Sequence, residues 1–244
     1  MDRDLLLQYL QQRVELGATE LYLDTMSASE FIRRLNDPES AREQYQSVST
    51  QSADSPLSLK LRVIQENAGA CVACSLHETR TNPVFARGNP LSQLMVIGEA
   101  PGEEEDRTGE PFVGRAGKLL DVLLQAVGFP RDSVYICNVL KCRPPGNRNP
   151  LPNEVESCSG FLRSQIDAIA PRALLAVGKF AAQTLVQSEE SIGRLRGRIH
   201  QYNGVPVVVT YHPAYLLRSP SATRVAWHDF QLLRSVLDDE VPGN

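Results

Sequence analysis

Leu94-Met95-Val96-Ile97-Gly98 is five residues with no charge among them, followed by Glu99-Ala100-Pro101-Gly102, the start of a loop punctuated by glycine and proline. A short apolar run that ends at glycine suits a strand covered on both faces, as in a parallel sheet. Working outward, a helix is expected from about Gly114 to Val127, then a strand over Val134 to Leu140 and a helix from Asn153, a candidate N-cap, to Ala170. A strand at Ala173 to Val177, a helix from Lys179 to Gln187, a strand at Val205 to Thr210 and a last helix from Thr223 to Leu237 complete the pattern. Strand-helix alternation repeated four times predicts a three-layer α/β/α fold with a central four-stranded parallel sheet. In such sheets ligands sit beyond the carboxyl ends of the strands, so the residues that follow each strand are the ones to read for chemistry.

Ahead of this region lies a different kind of sequence. Leu5, Leu6, Leu7, Tyr9, Leu10 and Val14 make a helical stripe that stops near Gly17, and Ser27 with Glu30 resembles a capping box opening a second helix. Ser40 to Ser58 is rich in Ser and Gln and reads as a tether. The expected division is therefore a helical N-terminal extension with its linker over residues 1–60 and one globular domain over residues 61–244.

The composition excludes several classes. Of 244 residues 42% are hydrophobic and 22% charged, the usage of a globular protein rather than a disordered one. No apolar run nears the ~18 residues that cross a bilayer, and the start Met1-Asp2-Arg3-Asp4 lacks a secretory pattern. A cytoplasmic protein without membrane association is expected. The net charge of -4 argues against a nucleic-acid partner only until it is localised: residues 1–60 hold ten acids and six bases, leaving the remainder neutral. Asn138 to Arg218 carries ten Lys/Arg against five Asp/Glu, an excess that either steers a phosphate backbone or forms a solvated face.

Three strand ends carry candidate chemistry. The loop Gly98 to Gly102 runs into the acids Glu103-Glu104-Glu105-Asp106 and then Gly109 to Gly117, a glycine density that lets backbone approach a ligand closely, without the spacing of a P-loop or a dinucleotide fingerprint. The second strand delivers Asn138, whose amide both donates and accepts, as the edge of a nucleobase requires. The fourth delivers His212, whose imidazole can donate to an oxygen gaining negative charge. Each is weak alone, and the fold is what brings them together. A second constellation is made by Cys71 and Cys74 in Cys-x2-Cys, with Cys142 after 67 further residues and Cys158 after 15 more. Four such thiolates suit zinc or an iron-sulfur cluster, and spacing does not choose between them. Cys137, inside an apolar strand, reads as a packing residue.

Taken in order, Cys-x2-Cys, Gly98 to Asp106, Pro111-Phe112-Val113-Gly114-Arg115-Ala116-Gly117, Asn138-Val139-Leu140-Lys141-Cys142-Arg143-Pro144-Pro145 and His212-Pro213-Ala214-Tyr215-Leu216-Leu217-Arg218 closely resemble the family-four uracil-DNA glycosylases. The likeness runs from about Ile64 to Leu237 and leaves residues 1–60 outside. It implies a [4Fe-4S] cluster of structural role on Cys71, Cys74, Cys142 and Cys158. It also implies a uracil pocket lined by Gly98, Glu99 and Ala100, with Phe112 stacking on the base, Asn138 reading its edge and His212 bonding O2. Glu105 and Asn147 match further active-site positions. Leu216 and Leu217, with Arg218 beside them, would wedge into DNA as the base is flipped.

The reaction implied is hydrolysis of the N-glycosidic bond, leaving an abasic site for base excision repair. The family-one enzymes carry a water-positioning aspartate where Ala100 stands, so Glu99, Glu105 and Asn147 are the candidates for that task, Glu99 by proximity. No histidine falls between Cys142 and Cys158, where a related subgroup traps uracil covalently, so turnover without an adduct is expected. The implied partner is uracil-containing DNA, single- or double-stranded. A monomer is expected, associated with the nucleoid, with the N-terminal extension free to meet a repair or replication partner. The competing readings are a noncatalytic module that senses damaged or single-stranded DNA through the same pocket, and an iron-sulfur electron carrier.

Overall fold

A computed structural model describes residues 55–238. Both helices expected before residue 54, and most of the tether, lie outside the described residues. The described part opens with helix α1 (Pro56–Gly69), capped by the Ser55 hydroxyl, which accepts from Ser58 N at 3.1 Å. The tether's expected last residue, Ser58, is thus already helical.

In chain order the remaining elements are β1 (Ala86–Gly88), β2 (Leu94–Gly98), α2 (Glu103–Thr108), α3 (Arg115–Ala126), β3 (Tyr135–Asn138), α4 (Pro152–Ile169), β4 (Ala173–Val177), α5 (Lys179–Val186), α6 (Ile192–Leu195), β5 (Ile199–Tyr202), β6 (Val205–Thr210), α7 (Pro213–Arg218) and α8 (Thr223–Asp238). They build one sheet in the order β1-β3-β2-β4-β6-β5. The four expected strands are its parallel centre, β3-β2-β4-β6. The expectation of four strands in all is corrected to six, because β1 and β5 add an antiparallel strand at each edge. β5 and β6 are joined through Asn203 and Gly204, both at positive φ (49° and 84°), the backbone that lets a two-residue hairpin follow the twist of its strands.

Alternation along the strands sorts two cores. Met95, Ile97, Tyr135, Cys137, Leu174, Ala176, Val207 and Val209 face α1, α4 and α5, where Leu61, Leu162, Ile166, Ala181 and Leu185 meet them. Leu94, Val96, Ile136, Leu175, Val177 and Val208 face α3, α7 and α8, against Leu120, Leu124, Leu216, Phe230 and Leu233. Each leucine or phenylalanine so covered contributes about 1.5–3 kcal/mol over leaving it in water, and both faces of the sheet are spent in this way. Only the strand ends remain for function.

The expected N-cap Asn153 lies inside α4. Leu151 is the capping position, Pro152 stands at N1, and the buried Glu154 carboxylate accepts from Leu151 N at 2.8 Å while pairing with Arg148 at 2.6 Å. A proline at the first helical position loses nothing, since its missing N–H has no partner there anyway.

Candidate active site at the strand ends

The register sets the site. Gly98 of β2 lies opposite Asn138 of β3, and the pairing continues past both strands, Val139 N donating to Gly98 O at 2.9 Å and Leu140 N to Glu99 O at 3.0 Å. On the other side Val177 of β4 lies opposite Thr210 of β6, which puts Gly178 beside His212. Four strand ends therefore present Asn138, Gly98, Gly178 and His212 in one row.

Phe112 closes that row. Its ring stacks against His212 with centroids 5.9 Å apart and planes 28° apart. A β-carbon at Gly98 would stand 2.3 Å from Asn138 Oδ1 and 2.5 Å from Phe112 Cζ, so the absence of a side chain there is what allows the amide and the ring to meet. Phe112 itself has φ 55°, a left-handed conformation that costs a bulky residue on the order of 1–3 kcal/mol. Several contacts hold it. Arg131 Nη2, on a side chain paired with Asp121, donates to Phe112 O at 2.8 Å and to Pro111 O at 3.2 Å. Gly117 gives the Phe112 backbone room, since a β-carbon there would fall 1.7 Å from its carbonyl oxygen. Gly117 ends the Pro111 to Gly117 motif, whereas Arg131 lies outside every motif in the sequence.

Glu105 is the third brace. Its Oε1 accepts from Val113 N and Gly114 N at 3.0 Å each, and its Oε2 from Gly102 N at 3.1 Å. The carboxylate thus ties the loop after β2 to the loop that carries Phe112. The acidic run to which it belongs is no solvated loop but the first turn of α2, where negative side chains suit the helix N-terminus.

His212 and Glu99 have shifted acidities of opposite kind. Burial, with the Arg218 charge second, holds the imidazole down at about 4, so it is neutral near pH 7. His212 Nδ1 accepts from Ala214 N at 3.2 Å, which leaves the single ring proton on Nε2 as a donor. Glu99 is half-buried, and burial pushes its carboxyl up to about 7. Among the described residues its side chain has no hydrogen-bond or ion-pair partner. Ala100, next to it, packs on the first core.

Other expected site residues sit apart from this row. Asn147 is on an exposed 3₁₀ turn (Pro145–Asn147), its Oδ1 accepting from Arg143 Nε at 2.8 Å, while Arg143 reaches Glu103 at 3.7 Å. The expectation of a wedge at Leu216 is corrected: it is 2% exposed and packs into the second core, because α7 turns that residue inward. Leu217, 40% exposed, and Arg218 remain on the outer side of α7.

The four cysteines also come together. Cys71, Cys74, Cys142 and Cys158 line one pocket, along with Arg80, Lys141 and His77. The thiols are free, and burial raises Cys142 and carries Cys158 up to about 11. Among the described residues no three His, Cys, Asp or Glu side chains gather tightly enough to share one metal ion. Tetrahedral zinc at ~2.3 Å from each sulfur would draw them to within ~4 Å of one another. Cys137 is fully buried in β3 and lines no part of the pocket.

Comparisons agree with this geometry. A family model described as the uracil DNA glycosylase superfamily matches residues 85–231. The type-4 uracil-DNA glycosylase of Thermotoga maritima is 44% identical over 184 residues, 74% of this chain and 96% of that protein. Those of Archaeoglobus fulgidus and Sulfurisphaera tokodaii are 41% and 40% identical, over 71% and 72% of this chain and 91% and 84% of theirs. With its parallel sheet, its row of strand-end residues and relatives matched over most of their length, the chain belongs to the uracil-DNA glycosylase superfamily and, within it, to the type-4 uracil-DNA glycosylases.

Proposed function

We propose that the protein excises uracil from DNA, and the observation that carries this is the meeting of Phe112, Asn138 and neutral His212 around Gly98. A planar ring, an amide and a single N–H donor are what a flipped pyrimidine needs: a face to stack on, an edge partner that donates and accepts, and a donor for O2. No membrane-spanning helix occurs among the described residues.

As the C1′–N1 bond lengthens, the sugar becomes oxocarbenium-like and the base becomes an anion with charge on O2. His212 Nε2–H donates to that oxygen, an interaction that strengthens as charge develops and therefore lowers the barrier. Glu99 orients the water whose oxygen bonds to C1′, and its carboxylate offsets the positive charge there. The bond to N1 breaks, its electron pair leaves with uracil, and a proton lost by the water balances the base. Phe112 and Asn138 hold the base, Gly98 and Ala100 shape the pocket wall, and Glu105 acts through the loops it braces. Leu217 and Arg218, exposed on α7, would meet DNA.

Cys71, Cys74, Cys142 and Cys158 would hold a [4Fe-4S] cluster, which when bound supplies a structural tie between α1, the end of β3 and α4. The domain responsible takes in the whole of α1, so its boundary falls at about Pro56 rather than inside that helix.

Glu99 gives a pH test. A carboxyl that titrates near 7 ionises as pH rises through neutrality, so the single-turnover rate should climb between pH 6 and 8 and then level. Glu99→Gln should flatten that limb and lower the plateau by about 10²-fold, within the range for acid-base groups. Stability moves the other way. The folded protein binds the Glu99 proton more tightly than the unfolded chain, so ionisation between about 4.5 and 7 costs stability as pH rises. Thermal melts should show Glu99→Gln more stable than the natural protein at pH 8, with the gain fading at pH 5.

The function itself is tested by incubation with a uracil-containing oligonucleotide, followed by alkali. Scission at the uracil position is expected; a noncatalytic sensor or an electron carrier would leave the strand whole.

A further inference from the structure

The geometry points to Arg80 and Lys141 as the built-in counter-charges of the cysteine pocket, matched to an occupant carrying two negative charges. Both residues line the pocket with the four cysteines. Arg80 Nη1 donates to Cys142 Sγ at 3.2 Å, and its Nη2 to Gly69 O at 2.7 Å, which fixes the guanidinium against the sulfur. Lys141 is 1% exposed. Its ammonium donates to Asn138 O and to Gln165 Oε1, each at 2.6 Å, and lies 6.0 Å from the centre of the Phe85 ring. Gln165 is held for that purpose, its amide nitrogen donating to Phe85 O at 3.3 Å and to Tyr135 Oη at 3.2 Å.

Every acceptor that Lys141 has is neutral. Among the described residues neither it nor Arg80 has a carboxylate within 4.0 Å, whereas the buried Asp229 and Glu154 are each paired with an arginine. A charge as deeply buried as Lys141 is tolerated in proteins when an opposite charge compensates it. The titratable groups that face it are the Cys137 thiol, fully buried in β3, and the Cys158 thiol, and of these Cys158 belongs to the adjacent pocket. Four thiolates around a [4Fe-4S] core in its 2+ state make a dianion, and two cations flank it. This inference rests on the cluster reading above and goes beyond it, since it assigns a role to two residues that ligate nothing.

The test uses the cluster-loaded full chain, handled without oxygen. Net charge and hydrogen bonds to sulfur set the potential of such clusters, so loss of either cation should make an added electron less welcome. Arg80→Gln and Lys141→Met are each expected to lower the reduction potential and to shorten, by about tenfold, the half-life of the visible absorbance under a ferrous chelator. Arg80→Lys and Lys141→Arg, which keep the charge, should restore both readouts most of the way. Arg80 is half-buried at the surface and its variants are expected to fold, so they decide the matter should Lys141→Met not fold. A loaded Arg80→Gln protein with unchanged potential and chelator half-life overturns this inference alone. Natural protein that contains neither iron nor sulfide, judged by metal and sulfide analysis, overturns the cluster reading and this inference with it.

Discussion

Replacing His212 with phenylalanine is expected to slow single-turnover release of uracil by about 10²–10³-fold, the cost of removing one donor aimed at a developing oxyanion, while binding of uracil-containing DNA changes little. Phenylalanine keeps a ring beside Phe112 and Gly178, so the packing that positions the row is retained. What is lost is the Nε2 proton, and its worth lies in the transition state, where O2 carries charge, more than in the ground state. Because the imidazole titrates near 4, the natural enzyme should show no histidine limb above pH 5; the limb near 7 belongs to Glu99. Rapid-quench measurement with enzyme in excess reads the rate directly. A rate within threefold of the natural protein would remove His212 from the chemistry.

Asn138→Leu is expected to cut kcat/KM for uracil excision by about 10²–10⁴-fold, because a pocket built to hydrogen-bond a polar edge discriminates strongly once those bonds are lost. Leucine shares asparagine's branching at Cγ, and the backbone carbonyl that takes the Lys141 hydrogen bond is still present, so β3 should stay in register. The loss should appear in both kcat and KM, since the amide grips the base before and during bond cleavage. A variant whose kcat and KM both stay within about threefold of the natural values would show instead that Asn138 is a packing residue at the end of its strand.

Much of this arrangement was legible before any coordinates. Leu94 to Gly98, Ala173 to Val177 and Val205 to Thr210 are strands with the bounds their apolar runs suggest, because strands covered on both faces announce themselves by unbroken hydrophobicity. The edge strands are not of that kind. β1 is three residues long, and β5 reads Ile-His-Gln-Tyr with every second side chain exposed, so neither gives an apolar run. The Asn203-Gly204 turn was the available sign of the hairpin.

Within the site, identity was easier to read than direction. Leu216 and Leu217 are equal as letters, yet the rotation of about 100° between neighbours on α7 sends the first into the core and the second outward. Glu105 was placed near the chemistry, but only its three backbone donors reveal that it works as a brace. Arg131 and Arg80 lie in no motif, and Lys141 sits in one without a sign of its task. Their roles come from what lies opposite each of them in space: the Phe112 carbonyl, the Cys142 sulfur and the Asn138 carbonyl.

The chemistry of the strand-end site depends most directly on where the base sits, and a crystal structure of the protein with uracil measures that. Uracil is expected stacked on Phe112, its edge on the Asn138 amide and its O2 within hydrogen-bond distance of His212 Nε2. Uracil bound away from these strand ends, or bound there with O2 turned from His212, would contradict it.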